Sequence, residues 1–152
     1  MTLDIPELEA EEAHLILPLF DEATALRLGQ ILLDLAKGMP VVINIRNANR
    51  TFFHAALPGS QAGNDNWARR KSNTALMTGR ASMLVGLKLA DRKRTLASDG
   101  LSEVDYADHG GAVPVRVQGV GMVAVATASG LPQEDDHRLI VSGLQALLAQ
   151  SG

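Results

Sequence analysis

The sequence predicts one domain of mixed α and β structure, an α+β fold whose mainly antiparallel sheet is covered by helices on both faces. Three observations predict it. Two pairs of strand-like runs are each joined by a short turn, which makes hairpins and therefore antiparallel pairing. One run, 120–128, is apolar on both faces, so it needs cover on both sides. Around these runs lie segments whose leucines recur at helical spacing. A chain of 152 residues is long enough to bury a substantial core without staples, and 1–152 is read as a single domain.

Along the chain, 13–17 read as a short first strand stopped by Pro18. Asp21 then supplies an N-cap oxygen for a helix. Leu28, Ile31, Leu32 and Leu35 keep helical spacing until Gly38 and Pro40 end it. Leu26 and Leu33 fall outside that stripe, so this helix is expected to bury two faces. Positions 41–47 and 50–57 form a hairpin around Ala48 and Asn49. In its first strand Val41, Ile43 and Ile45 share one face, Asn44 and Arg46 the other. If Asn47 pairs with Arg50, Ile43 faces His54 and the histidine joins the apolar face; a slip of one residue reverses that.

Positions 58–66 are a turn-rich loop, with Asn64 or Asp65 capping a helix that begins near Trp67. The helix breaks around Gly79, and a second covers 81–90, although 83–89 also reads as a strand. The long polar connection 91–110 has one helical turn near Glu103, and a loop of that length is usually functional or mobile. Val113, Val115 and Val117 then alternate, and Gln118-Gly119 turns the chain into the doubly apolar strand. Pro132 opens the last helix, whose positive end Glu134, Asp135 and Asp136 complement. Ile140, Leu144, Leu147 and Leu148 form its buried stripe.

Composition removes several classes of function. The chain has no cysteine, which excludes disulfides, thiolate nucleophiles, iron–sulfur clusters and cysteine zinc sites together. With one Trp, one Tyr and three Phe, the core must rest on aliphatic side chains. Residues 1–12 are acidic where a secretory leader is basic and then apolar. The longest apolar run is far short of the roughly 20 residues that span a bilayer. A cytoplasmic location and no membrane partner are therefore expected. Between Trp67 and Ser98, eight basic residues face Asp91 alone, while the whole chain is at −3. Such asymmetry marks either an anion or nucleic-acid surface, or opposite patches that meet between subunits. The near absence of interleaved aromatics argues against nucleic acid. Ser129-Gly130 lacks the nucleophile elbow Gly-x-Ser-x-Gly. Phosphate-loop and dinucleotide fingerprints are absent, because Gly119-Val120-Gly121 is not followed by a helix.

Two segments carry a resemblance. His109-Gly110-Gly111-Ala112-Val113-Pro114-Val115 leads into Gly119-Val120-Gly121, then Thr127-Ala128-Ser129-Gly130-Leu131-Pro132 and an acidic helix start. This resembles the GlcG/HbpS-like superfamily, or haem-degrading domain. Asn49-Arg50-Thr51-Phe52-Phe53-His54 and Asn66-Trp67-Ala68-Arg69-Arg70-Lys71-Ser72-Asn73 look like one bacterial and fungal branch of it. The likeness runs from about Asp21 to Leu148. It implies a profilin-like fold, a five-stranded, mainly antiparallel sheet between helices (three layers, α/β/α), assembled as a homo-oligomer, either a dimer or a larger ring. It implies haem in some members, and supplies no catalytic set to carry over.

The candidate ligand site joins that resemblance to the residues. His54, Arg80 and the turn His109-Gly110-Gly111 are expected around a small pocket for a haem-like compound or organic anion. Arg80 would pair with a ligand carboxylate and His109 would donate a hydrogen bond. Gly110 and Gly111 let backbone approach a ligand or turn with positive φ, and Ser129 and Gly130 enter a helix whose free N–H groups hold anions. Haem needs an axial ligand, which His54 would supply, and no covalent attachment motif is present. Trp67 lies one turn before Arg70 and Lys71, so one helix face presents an aromatic ring with cations; alternatively Trp67 packs on the sheet while the bases stay in water. Two rival readings stay open. One is an assembly or protein-interaction module without chemistry. The other is a metal-dependent enzyme using Glu134 and His137, three apart on a helix.

Overall fold

The structure, a computed structural model, describes residues 3–151. It begins with a helix the sequence reading missed, α1 (Ile5–His14), capped by Asp4, whose Oδ1 accepts from the Glu7 N–H at 2.9 Å. Only Ile16–Leu17 of the expected first strand are extended, as β1. Helix α2 (Glu22–Leu35) starts at its expected cap, Asp21, and leads to the hairpin of β2 (Val42–Arg46) and β3 (Thr51–Ala56). Helices α3 (Ala62–Thr78) and α4 (Ser82–Asp91) part at Gly79, which is left-handed at φ 70°. The helical reading of 81–90 therefore stands over the strand. Strands β4 (Ala112–Val117) and β5 (Gly121–Ser129) and helix α5 (Gln133–Ser151) complete the chain.

The five strands form one sheet in the order β1-β4-β5-β2-β3, with only β1–β4 parallel. Strand β2 of the first hairpin thus pairs with β5, which lies in the centre and is buried on both faces over most of its length, as its apolar run predicts. Ile43, Ile45, Val113, Val115, Ala124, Ala126 and Ala128 face one way into the main core, against Leu28 and Leu32 of α2 and Ile140, Leu144 and Leu147 of α5. The opposite face lies under α3, with a small apolar cluster of Ala75, Ala112 and Val125. Most of that second layer is polar. Arg46 donates to Ser72 Oγ at 2.9 Å and to Asn73 Oδ1. Outside the stripe Leu26 stays 57% exposed and Leu33 is half-buried, so within one copy the second face of α2 is covered only in part; Leu35, expected on the stripe, is 42% exposed at its end. Among the described residues no helix is long and apolar enough to cross a membrane.

One boundary is corrected. Helix α3 begins at Ala62, five residues before Trp67, because Gln61 and Asn64 form a reciprocal capping box across its first turn. The long connection makes the expected turn near Glu103, where the Tyr106 N–H donates to the Ser102 carbonyl at 2.9 Å, and adds a short 3-10 helix at Leu96–Asp99, capped by Thr95.

The Asp21 cap makes a measurable prediction. The Thr24 N–H and then its hydroxyl, both at 2.8 Å, hold the Asp21 carboxyl below the usual carboxylate range. A folded-state value below the unfolded one stabilises the fold above the unfolded value, and that contribution is lost as pH falls through the folded value. The stability gap between wild type and Asp21→Ala, taken from urea titrations, should therefore shrink between neutral pH and pH about 2, below the ordinary carboxylate range. A gap that stays constant contradicts the assigned role.

Candidate functional site

The site grows from the face of α3 that meets the β5–α5 turn. Asn64, Trp67 and Lys71 are spaced three and four apart, so they line one face of the helix. With Ser129, Gly130 and the start of α5 they border a cleft of about 250 Å³. At its base Lys71 is 4% exposed and Asp136 1%, with Nζ 3.0 Å from Asp136 Oδ2. Nζ also donates to the Ala128 carbonyl at 3.2 Å. Asp136 in turn accepts the Gly130 N–H at 3.3 Å and the Leu131 N–H at 3.1 Å. Its carboxylate therefore occupies the anion position that the helix entrance offers. Burial pulls the Lys71 ammonium below its ordinary range, against the attraction of Asp136. Burial likewise raises Asp136, against Lys71 and the two backbone donors.

Two glycines, Gly111 before β4 and Gly130 after β5, make this close packing sterically feasible. A Cβ on Gly111 (φ 141°) would collide with the Ala128 carbonyl oxygen and stand 2.9 Å from Lys71 Nζ. One on Gly130 (φ 144°) would collide with the Pro40 carbonyl oxygen. Gly110 donates its N–H to Gln133 Oε1 at 2.9 Å, tying the turn to α5.

The connection 91–110 is pinned along α3. Arg69 reaches Asp105 Oδ1 and the Val104 carbonyl, both at 2.9 Å. Arg70 donates to the Glu103 carbonyl at 2.8 Å, and the Ala107 N–H meets Thr74 Oγ1 at 3.0 Å. This places His109 beside the cleft, with its ring edge-on to Trp67 at 5.2 Å. The guanidinium of Arg70 lies 4.3 Å from the centre of the Trp67 ring. Trp67 thus meets both a cation and an imidazole and forms one wall of the cleft.

Of the residues expected at the pocket, His109, Ser129 and Gly130 line it, and Gly110 and Gly111 shape it. His54 and Arg80 do not line it. Asn47 does receive the expected partner, donating its N–H to the Arg50 carbonyl at 3.0 Å. However, a bulge between Ile45 and Arg46 then shifts the register, so His54 pairs with Asn44 and faces α3, away from the apolar face. There its Nε2 is 2.8 Å from Asp65 and its Nδ1 3.0 Å from Asn44 Nδ2, with the side chain 40% exposed. Arg80 follows the far end of α3, roughly 16 Å of helix axis from Trp67 at 1.5 Å per residue. It pairs with Glu12 of α1 at 3.0 Å, and Glu12 also accepts the Ala81 N–H at 2.8 Å.

The pair Glu134 and His137 is not brought together by a shared partner. The buried His137 ring has Nε2 2.7 Å from Glu11 of α1. Among the described residues no group of three or more His, Asp or Glu is placed to hold a metal ion. Five of the eight bases of segment 67–98 pair with acids within the chain, as Arg69–Asp105, Lys71–Asp136, Arg80–Glu12, Lys88–Glu9 and Arg94–Asp99.

The sequence reading placed Lys71 with Trp67 and Arg70 on one helix face, with solvated bases as the alternative, and read Asp136 as a complement to the helix end; it did not pair Lys71 with Asp136. The available signal was the spacing of Asn64, Trp67 and Lys71, which puts the lysine on the aromatic's own face.

A family model described as haem degrading protein HbpS-like matches residues 20–145. A UPF0303 protein of Rhizobium etli is 41% identical over 149 residues, covering 97% of this chain and 91% of the relative. Another, of Streptomyces coelicolor, is 42% identical over 149 residues, covering 96% and 94%. Among solved structures, Ybr137w protein has a TM-score of 0.89 at 33% identity, over 99% of this chain and 91% of that one. A double mutant of HbpS from Streptomyces reticuli has a TM-score of 0.68 at 20% identity, over 84% and 86%. A complex of PduOC with haem has 0.69 at 18%, over 84% and 94%. At those two identities the likeness is one of fold. By the family match and by relatives this similar over nearly its whole length, the chain belongs to the HbpS-like family and, within it, to the UPF0303 group.

Proposed function

We propose that this chain is a small-molecule-binding protein that works as a homo-oligomer, its ligand an organic molecule with a flat apolar part and an oxygen acceptor. The observation that carries this reading is the cleft itself. A cation withdrawn from water lines the same small cavity as an aromatic wall. Lys71 answers the oxygen of the ligand, Trp67 answers its flat part, and His109 at the mouth supplies a further hydrogen-bonding group. Because Asp136 already fills the helix entrance, a weakly charged or neutral oxygen suits the cleft better than a phosphate. Leu26, an apolar side chain of α2 left 57% exposed within the chain, supports the oligomer.

Haem is a second reading, favoured by His109, whose half-exposed ring offers a nitrogen beside the cleft. A cleft of about 250 Å³ lies below the range of roughly 300–1,000 Å³ common for drug-sized ligands. A haem does not fit inside it and would have to rest across the mouth. The cleft favours the smaller molecule.

Native mass spectrometry on untagged protein, followed by denaturation, tests the proposal. A stoichiometric organic mass released on unfolding is expected. Trp67→Ala, folded by circular dichroism, should retain it about tenfold less well, or about 1.4 kcal/mol. A well-defined oligomer that carries nothing and takes up neither haemin nor an aryl carboxylate favours the assembly module instead.

A further inference from the structure

Lys71 differs from the other bases of its helix. Arg69 and Arg70 hold surface carbonyls and carboxylates, whereas Lys71 is withdrawn from water yet lines a cleft. A merely structural tie between α3 and β5 has no need to reach a cavity. The amine has two acceptors within reach, the Ala128 carbonyl at 3.2 Å and Asp136 Oδ2 at 3.0 Å. As an ammonium, Lys71 keeps a third N–H beyond those two acceptors; once it passes a proton to Asp136, the neutral amine holds both acceptors with its two N–H groups and its lone pair takes the third direction. Gly111 keeps the space beside Nζ clear of any side chain.

We propose that Lys71 is an amine nucleophile that forms an imine with a small aldehyde or ketone held against Trp67 in the cleft. This rests on the ligand-binding reading above and names the chemistry of that site. The Nζ lone pair adds to the carbonyl carbon, a C–N bond forms, and the carbonyl π electrons move to oxygen. Nitrogen gives up a proton to Asp136, the carboxylate 3.0 Å away, and Asp136 passes it to that oxygen, making a carbinolamine. The second nitrogen proton takes the same route to the hydroxyl, which departs as water while the C=N bond forms. Amine and carbonyl become imine and water, with no oxidant or reductant consumed. Burial favours the reactive neutral amine, the usual way in which a lysine is activated.

The test uses the intact chain in its native assembly, benzaldehyde as the carbonyl probe and benzoate as its non-reacting analogue. With cyanoborohydride near pH 6.5, exposed lysines are almost wholly protonated, and reduction fixes any imine as a stable adduct. Peptide mapping should find Lys71 labelled several-fold faster than Lys37, Lys88 or Lys93, because burial favours its neutral, reactive form. Benzoate should quench Trp67, the only tryptophan of the chain, and slow the labelling. Lys71→Arg keeps a cation in place and should abolish the adduct. If benzoate quenches Trp67 while the label spreads evenly over the four lysines, imine chemistry is overturned and binding survives. If benzoate neither quenches Trp67 nor slows the labelling and Lys71 stays unlabelled, both readings fall. The mapping on wild type decides even if Lys71→Arg does not fold.

Discussion

Lys71→Met should lower the stability of the fold by about 3–5 kcal/mol, because removing one partner of a buried ion pair leaves the other charge uncompensated. The pair joins three elements. Lys71 belongs to α3, its carbonyl acceptor at Ala128 to β5, and Asp136 to the first turn of α5. Methionine fills nearly the same volume, so the loss reports charge and hydrogen bonding more than a cavity. Adding Asp136→Asn should recover much of it. Asparagine removes the stranded charge while its oxygen still accepts one of the N–H groups of Gly130 and Leu131, which Asp136 now holds. Urea unfolding of the wild type, both single variants and the double variant gives the coupling directly. A single variant within about 1 kcal/mol of wild type would show that the pair is effectively solvated.

Gly111→Ala should be as costly, at about 3 kcal/mol or more, since backbone strain of about 1–3 kcal/mol adds to a collision and to a displaced ion pair. Its added carbon meets the Ala128 carbonyl oxygen and Lys71 Nζ, the same atoms that define the base of the cleft. Gly119→Ala is the control. Gly119 also has positive φ, at 75°, but an added Cβ there meets nothing within 4 Å. It should lose only the roughly 1–2 kcal/mol of a left-handed residue. Equal melting temperatures for the two variants would remove the collision from the account.

The sheet and its cover were legible because alternation and double-sided apolarity act locally along a strand. Val113, Val115 and Val117 and the run after Gly119 declare their faces without reference to anything distant. The cap at Asp21 was legible for the same reason, since its partner Thr24 is three residues away. Helix α1 was not. Its burial rests on Leu8 and on acids whose partners, Arg80, Lys88 and His137, come from far along the chain. Without them Glu9, Glu11 and Glu12 read as a solvated acidic stretch. His54 was misplaced by a single bulged residue, which preserves the turn and reverses the strand beyond it. The fate of Lys71 was hidden because a lysine beside two arginines reads as surface. What buries it is a carboxylate at position 136, brought close only once α3 and the turn from β5 into α5 have packed together.

The order of strands has a consequence for how the chain is made. β5, the central strand, is the last of the five to be synthesised, yet the hairpin of β2 and β3 depends on it for its second neighbour. On the ribosome that hairpin emerges early and must wait, with the open edge of β2 and the apolar side chains of Ile43 and Ile45 lacking their final cover. Partial chains of this kind expose unpaired strand edges and apolar surface, the conditions under which nascent chains associate wrongly. Helix α2 can shelter part of that face during the wait, because it precedes the hairpin and packs on it through Gly29 and Phe53. Translation speed between codons 57 and 121 thus sets how long an unfinished sheet is held open.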